Sequence, residues 1–279
     1  MSKLITFTKM HGNGNDFVVL DRLTQFFHID TKLVRRISDR HFGIGCDQVL
    51  IIDPPREPTM DFYFRIFNAN GAEVSQCGNG ARCIGRYVFD QGLTHKTHLK
   101  IGSRASILEI NLENLKHIIV TLAIPNFAPE AIPIRLTPEG DFYQIPLEAN
   151  TLKVRAVSVG NPHCIINVPA LTAVDVSQIG QQLQQVDIFP ELVNVTFVET
   201  LARNHLRCRV FERDVGETLA CGSAACAAVV CGIRAGELSQ EVRVDMPGGP
   251  VTVNWAGDNT PVQLMGPVHS VFEGRFLVT

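Results

Sequence analysis

The chain has 279 residues, 45% of them hydrophobic and 19% charged, with a formal net charge of −3. That is enough apolar material for one large or two ordinary domains, and Lys and Arg are scattered, which excludes charge-driven binding to nucleic acid or an acidic membrane. Residues 1–7 lack the apolar core of a secretory signal, and the small, apolar stretch 219–233 is too short and too interrupted to span a bilayer, so the eight cysteines are expected as reduced thiols in a cytoplasmic protein.

Residues 16–21 and 48–52 are short β-branched apolar runs of strand length. A motif then runs from Arg65 to Cys77, and residues 81–89 beyond it are helix-compatible, which places Cys77 at a strand-to-helix turn. Pro125, Pro129, Pro133, Pro138 and Pro146 punctuate the middle of the chain, where a loop-rich domain connection is expected. Residues 164–168 and 195–198 read as strands. A second motif runs from Arg209 to Cys221, and residues 225–233 are apolar on every side, which predicts a fully buried helix.

The two motifs are one pattern repeated 144 positions apart. Arg, Phe, Glu, Cys, Gly and Ala recur unchanged, and Ile66 is answered by Val210. Gly14-Asn15 matches Gly160-Asn161, and Gln48 matches Asn194, both 146 positions apart. A two-residue length difference reconciles the spacings, so the repeat covers most of each half and predicts two domains.

Each half contributes one thiol at a glycine turn. A helix start lowers a thiol's pKa through its unpaired N–H groups and dipole, and the same N–H groups can hold a carboxylate. Two such starts facing each other would let one sulfur take a proton from an amino acid's α-carbon while the other returns one. A lone Cys-Gly pair would read as a small buried residue in a turn; the matched pair reads as catalytic. Cys46, Cys83, Cys164, Cys208, Cys226 and Cys231 lack that symmetry and read as packing.

The halves differ where Asn68-Ala69 is answered by Glu212-Arg213. Adjacent carboxylate and guanidinium groups suit the two ends of an amino acid, although a structural ion pair is their commoner fate. Asn15, Gln48, Asn161 and Asn194 form an amide set at matched strand ends, suited to a zwitterion, although each taken singly reads as a turn residue; His163 could tune a nearby thiol, although a lone histidine is more often a satisfied core residue. The expected partner is therefore a small amino acid. No phosphate loop, dinucleotide fingerprint or zinc motif is present, so no metal or other cofactor is expected, and His95 and His98 read as a polar loop.

Taken together, the residues resemble the diaminopimelate epimerase family. The resemblance is carried by Lys9-Met10-His11-Gly12-Asn13-Gly14-Asn15-Asp16-Phe17, Asp39-Arg40-His41-Phe42-Gly43-Ile44-Gly45-Cys46-Asp47-Gln48, Gln76-Cys77-Gly78-Asn79-Gly80-Ala81-Arg82-Cys83, Gly160-Asn161-Pro162-His163-Cys164 and Gly216-Glu217-Thr218-Leu219-Ala220-Cys221-Gly222-Ser223, with Met246-Pro247-Gly248-Gly249 beyond. It implies an α/β (α+β) fold of two pseudo-symmetric domains, each a curved mixed β-sheet around a central helix, with the active site in the interdomain cleft. The last strand would return to the first domain, giving 1–121 plus 266–279 and 122–265.

The resemblance further implies a cofactor-independent homodimer that interconverts LL- and meso-2,6-diaminopimelate in lysine and cell-wall precursor synthesis. Cys77 and Cys221 stand at the positions of the two catalytic cysteines. Asn15, Gln48, Asn68, Gly78, Asn79, Asn161, Asn194, Glu212, Arg213, Gly222 and Ser223 match substrate-binding positions, and His163 and Glu212 match residues that adjust the thiols. Ala224 stands where glycine is usual and Asp214 where a small residue is usual. Proline racemases of the same fold, a thiol redox sensor joined through Cys77 and Cys221, and a structural scaffold are the competing readings.

Overall fold

Strands form where the β-branched runs predict them, and the duplication extends to the order in which they pair. The computed structural model describes residues 3–74, 77–147, 151–213 and 215–278. The chain divides into two units, Met1–Val120 with Gly266–Thr279, and Thr121–Met265.

The first unit contains β1 (Lys3–Gly12), β2 (Asn15–Asp21), α1 (Thr31–Ser38), β3 (Gln48–Asp53), β4 (Phe62–Asn68), β5 (Glu73–Val74), α2 (Gly78–Asp90), β6 (His98–Gly102) and β7 (Ile107–Asn111). β8 (Ile118–Thr121) ends at the division between the units. The second unit contains β9 (Tyr143–Pro146), β10 (Thr151–Ser158), β11 (Pro162–Asn167), α3 (Val176–Gln185), β12 (Asn194–Ala202), β13 (His205–Glu212), β14 (Gly216–Thr218), α4 (Gly222–Arg234), β15 (Glu241–Met246), β16 (Gly249–Asn254) and β17 (Gln263–Gly266). β18 (His269–Val278) pairs antiparallel with β1 in the first unit.

In the first unit β1–β2 is antiparallel, β2–β3 parallel, β3–β4 antiparallel, β4–β6 parallel and β6–β7 antiparallel. In the second, β10–β11, β11–β12, β12–β13, β13–β15 and β15–β16 repeat that sequence of directions. Parallel neighbours need crossovers, and a helix lies within each crossover: α1 and α3 in one pair, α2 and α4 in the other. The register agrees to the residue. Phe67 faces Glu73 and Ile66 faces Val74, while Phe211 faces Glu217 and Val210 faces Thr218. This is a mixed α+β fold built from a duplicated unit.

The central strands are apolar on both faces because helices cover both. In β3, Val49, Leu50, Ile51 and Ile52 are all fully buried. Val49 and Ile51 pack with Leu33, Val34 and Ile37 of α1. Leu50 meets α2 at Gly80, where an added Cβ would lie 3.1 Å from its side chain. In the second unit Val195 and Phe197 pack with Val176 and Leu183 of α3. The strand position matching Leu50 is Thr196, and the helix position matching Gly80 is Ala224. The smaller strand residue thus accompanies the larger helix residue.

α4 is buried from Ala224 through Gly232, as its all-round apolar sequence predicts. Both α2 and α4 begin three residues before the helix-compatible runs, because Cys77 and Cys221 are themselves the N-caps. The proline-rich segment is not all loop. Tyr143 and Ile145 alternate inward, which makes β9 a strand paired with β10, and Pro146 sits at its last position, where a missing N–H is tolerated. No helix of the described residues is long and apolar enough to cross a membrane.

The turn entering β3 depends on Gly43. Ile44 and Gly45 both donate to the Ile37 carbonyl, and a Cβ at Gly43 would lie 1.9 Å from the Arg36 carbonyl oxygen. That atom is backbone and cannot swing aside. Gly43→Ala is expected to lower unfolding stability by about 1–3 kcal/mol or more, read from a urea unfolding curve; an unchanged midpoint would show that the turn relaxes.

Candidate active site

In the first unit Cys77 caps α2 from an extended conformation, and its Sγ accepts from the Gly80 amide at 3.3 Å. The same Sγ donates to Asn15 Oδ1 at 3.8 Å. Asn15 is delivered by the turn between β1 and β2, where Gly14 takes φ +82°, a left-handed conformation that favours glycine. The matching turn between β10 and β11 has Gly160 at φ +101°, followed by Asn161.

Asn15 is held by groups of known polarity, which settles which way its amide points. Its Nδ2 donates to Asp47 Oδ2 at 3.1 Å, so Oδ1 must face Cys77. Asn79 is held the same way: Arg82 Nη2 donates to its Oδ1 at 2.7 Å, which turns Asn79 Nδ2 toward Asn15 Oδ1 at 3.4 Å. Arg82 is fully buried and also donates to Asn13 Oδ1 at 3.3 Å.

Asp47 belongs to a charged cluster behind these amides. Arg40 bridges Asp16 and Asp47, each at 2.8 Å, and Lys9 donates to Asp16 at 2.5 Å and to the Gly45 carbonyl. Burial alone would raise the Asp16 carboxyl. Hydrogen bonds from Arg40, Lys9 and the Asp47 amide outweigh it and hold the group far below the usual carboxylate range. On the adjoining strands Gln48 Nε2 donates to Asn68 Oδ1 at 2.8 Å. Its Oε1 is buried with no donor among the described residues.

The second unit surrounds its thiol differently. Cys221 caps α4 and is 7% exposed, with Ser223 Oγ 3.4 Å from Sγ. Burial pushes this thiol well above its ordinary pKa, and the Glu212 carboxylate pushes it further, against the Ser223 hydroxyl and the Ala224 amide. The helix start therefore does not make Cys221 a thiolate in the free protein, contrary to the expectation from its position alone: its amide contributes, and burial wins.

Glu212 also accepts from Thr218 Oγ1 at 2.6 Å. Arg213, next along the chain, donates from Nη1 to the Glu191 carbonyl at 3.2 Å, and its amide donates to Asn194 Oδ1 at 3.2 Å. The two neighbouring charges thus have separate partners. Asn194 Nδ2 donates to the Pro162 carbonyl at 3.1 Å. His163 is fully buried, its pKa drawn down to about 3 by burial and then by Arg213. It is neutral at physiological pH, with Nε2 paired to Asn161 Oδ1 at 3.1 Å.

The structure thus groups Cys77 with Asn15, Gly78 and Asn79, Gln48 with Asn68, Asn161 with His163, Asn194 with Arg213, and Glu212 with Cys221, Gly222 and Ser223. Asp47, Arg82, Asn13 and Thr218 join these groups without having been singled out by sequence. Their only signal was polar side chains inside otherwise apolar or glycine-rich motifs. Asp214 lies outside the described residues. The other six cysteines are buried, and burial raises those of Cys46 to about 11 and Cys231 to about 12.

Residues 7–127 and 155–271 match the diaminopimelate epimerase family. The chain belongs to that family. Membership of the diaminopimelate epimerase family makes it an isomerase of the amino-acid epimerase and racemase kind. Among solved structures it is similar to a hydroxyproline epimerase from Agrobacterium vitis (12% identity, 99% of this chain and 93% of that one, TM-score 0.74). It is also similar to a PhzF-family phenazine biosynthesis protein from Bacillus anthracis (19%, 99% and 100%, 0.70). A third is a predicted epimerase from Pseudomonas aeruginosa (15%, 99% and 100%, 0.68). At these identities the likeness is one of fold.

Two outcomes follow from this geometry. Glu212→Gln removes a charge that opposes ionisation of Cys221, so its thiol pKa falls and alkylation of Cys221 by iodoacetamide at pH 8 speeds up, read by peptide mass spectrometry; an unchanged rate would remove Glu212 from the thiol's environment. Asp47→Asn frees Asn15 to turn and is expected to lower turnover roughly ten- to hundredfold with little change in unfolding midpoint. Full turnover in that variant would show that Asn15 is oriented by something else.

Proposed function

We propose that the protein interconverts LL- and meso-2,6-diaminopimelate, using Cys77 and Cys221 as the two bases and no cofactor. The observation that carries this reading is the pair of cysteines at matched N-caps of the two duplicated helices, α2 and α4.

The local hydrogen bonds supply the parts such chemistry needs. Cys77 Sγ occupies the Gly80 amide, and Cys221 is placed against the Ala224 amide. That leaves the earlier amides, of Gly78 and Asn79 and of Gly222 and Ser223, to hold the carboxylate on which charge develops as the α-proton departs. In one direction the Cys77 thiolate takes the α-proton and becomes a thiol. The Cys221 thiol gives its proton to the opposite face of the carbanion and becomes a thiolate, so atoms and charge balance and the reverse reaction exchanges the roles. Burial and Glu212 keep Cys221 protonated in the free protein, which suits it to deliver first.

The reading requires both sulfurs to address one α-carbon. Asn15, Gln48, Asn68, Asn161, Asn194 and Arg213 are the groups assigned to the rest of the substrate, with Arg213 for the distal carboxylate. His163, being neutral, acts on its surroundings as a dipole rather than a charge.

The test is incubation of reduced protein with LL-diaminopimelate in D2O without added cofactor. Deuterium at the α-carbon and meso product are expected, and both should vanish in Cys77→Ala and Cys221→Ala. No exchange with LL-diaminopimelate, but exchange with proline or hydroxyproline, would retain the two-thiol chemistry and reject the substrate; exchange surviving loss of both thiols would reject the mechanism.

A further inference from the structure

A cavity of about 90 Å³ lies within the second unit, lined by Phe127, Asp141, Tyr143, Arg155, Cys231 and Arg234 among others. Arg234 is the last residue of α4, whose N-cap is Cys221. Along a helix of 13 residues the two ends are roughly 18 Å apart at about 1.5 Å per residue, so the cavity is distinct from the thiol at the other end.

The charges around the cavity do not cancel locally. Arg155 is 7% exposed and gives Nη1 and Nη2 to Glu237, at 3.0 and 2.5 Å, while its guanidinium stacks on Phe142 with 4.5 Å to the ring centroid. Its Nε is buried and has no acceptor among the described residues. Arg234 is held over the Phe127 ring at 4.0 Å and makes no ion pair among the described residues. Asp141 likewise has none. Both nevertheless sit close enough to Cys231 to act on its thiol.

Once Glu237 has neutralised Arg155, the cavity presents one unpaired guanidinium, one unpaired carboxylate and one buried N–H donor. An anion alone would meet Asp141, and a cation alone would meet Arg234. A small molecule carrying both charges on neighbouring atoms satisfies all three groups. That volume is several times what a single water needs, so a small organic ion has room there.

We propose that this cavity is a second amino-acid site, taking a small α-amino acid. The carboxylate is held by Arg234 and Arg155 Nε, and the ammonium by Asp141. The stacking of both guanidiniums on phenylalanine rings fixes the donors before the ligand arrives, which lowers the ordering cost of binding. The inference is independent of the reaction proposed above.

Titration calorimetry of the full chain with glycine, acetate and methylammonium at constant ionic strength tests it. Trp255 is the chain's one tryptophan and lies 6.4 Å from Phe127 between ring centroids, so its fluorescence is a second readout. Glycine is expected to bind saturably, with acetate and methylammonium at least tenfold weaker. Arg234→Gln and Asp141→Asn, both at exposed positions, should each weaken glycine at least tenfold. Absence of saturable glycine binding, equal binding of acetate, or parental affinity in the Arg234 and Asp141 variants would overturn the proposal.

Discussion

A helix that starts at a cysteine leaves its first amides to the cap, to water or to a ligand, and each unit of this structure is built around one such start. Serine or aspartate would close the first turn more strongly. Cysteine accepts more weakly, as Cys77 does from the third amide of its helix. The helices behind the caps must then be held by packing. α4 does this with Ala, Val, Cys and Gly buried along its length, and α2 with Ala81, Cys83, Ile84 and Val88.

The duplicated units solve the same problem with different electrostatics. At Cys77 the Gly80 amide and the Asn15 side chain meet the sulfur, with Asp47 orienting Asn15 and Arg82 orienting Asn79. Around Cys221 a carboxylate, Glu212, sits at the thiol, and burial adds to its effect. Two chemically identical side chains at matched positions of the two units therefore have different neighbours. The residues where strand meets helix differ in parallel: Leu50 meets Gly80 in one unit, and the matching positions of the other hold Thr196 and Ala224, both buried.

Much of this was legible in the sequence. Period-two and all-apolar runs located β2, β3, β11, β12 and α4, since those patterns report local burial directly. The repeat located both thiols and the Gly-Asn turns, because a duplicated backbone needs the same residues at the same bends. β9 was obscured by prolines whose cost is small at a strand's edge. Asp47 was not legible as Asn15's partner because 32 positions separate them and nothing local links a carboxylate to an amide across that interval. The same holds for Arg155 and Glu237, 82 positions apart.

The sequence by itself determined the strand runs, the duplication and the helix starts through periodicity and turn residues, and the family, with the fold class it implies, through residue identity in short motifs. Only the tertiary structure decided which way the amides of Asn15 and Asn79 point, that Cys221 holds its proton in the free protein, and that Arg234 and Asp141 flank a cavity. Those properties are set by burial and by charges that folding brings together from distant parts of each unit, and neither quantity exists along the chain until the fold is made.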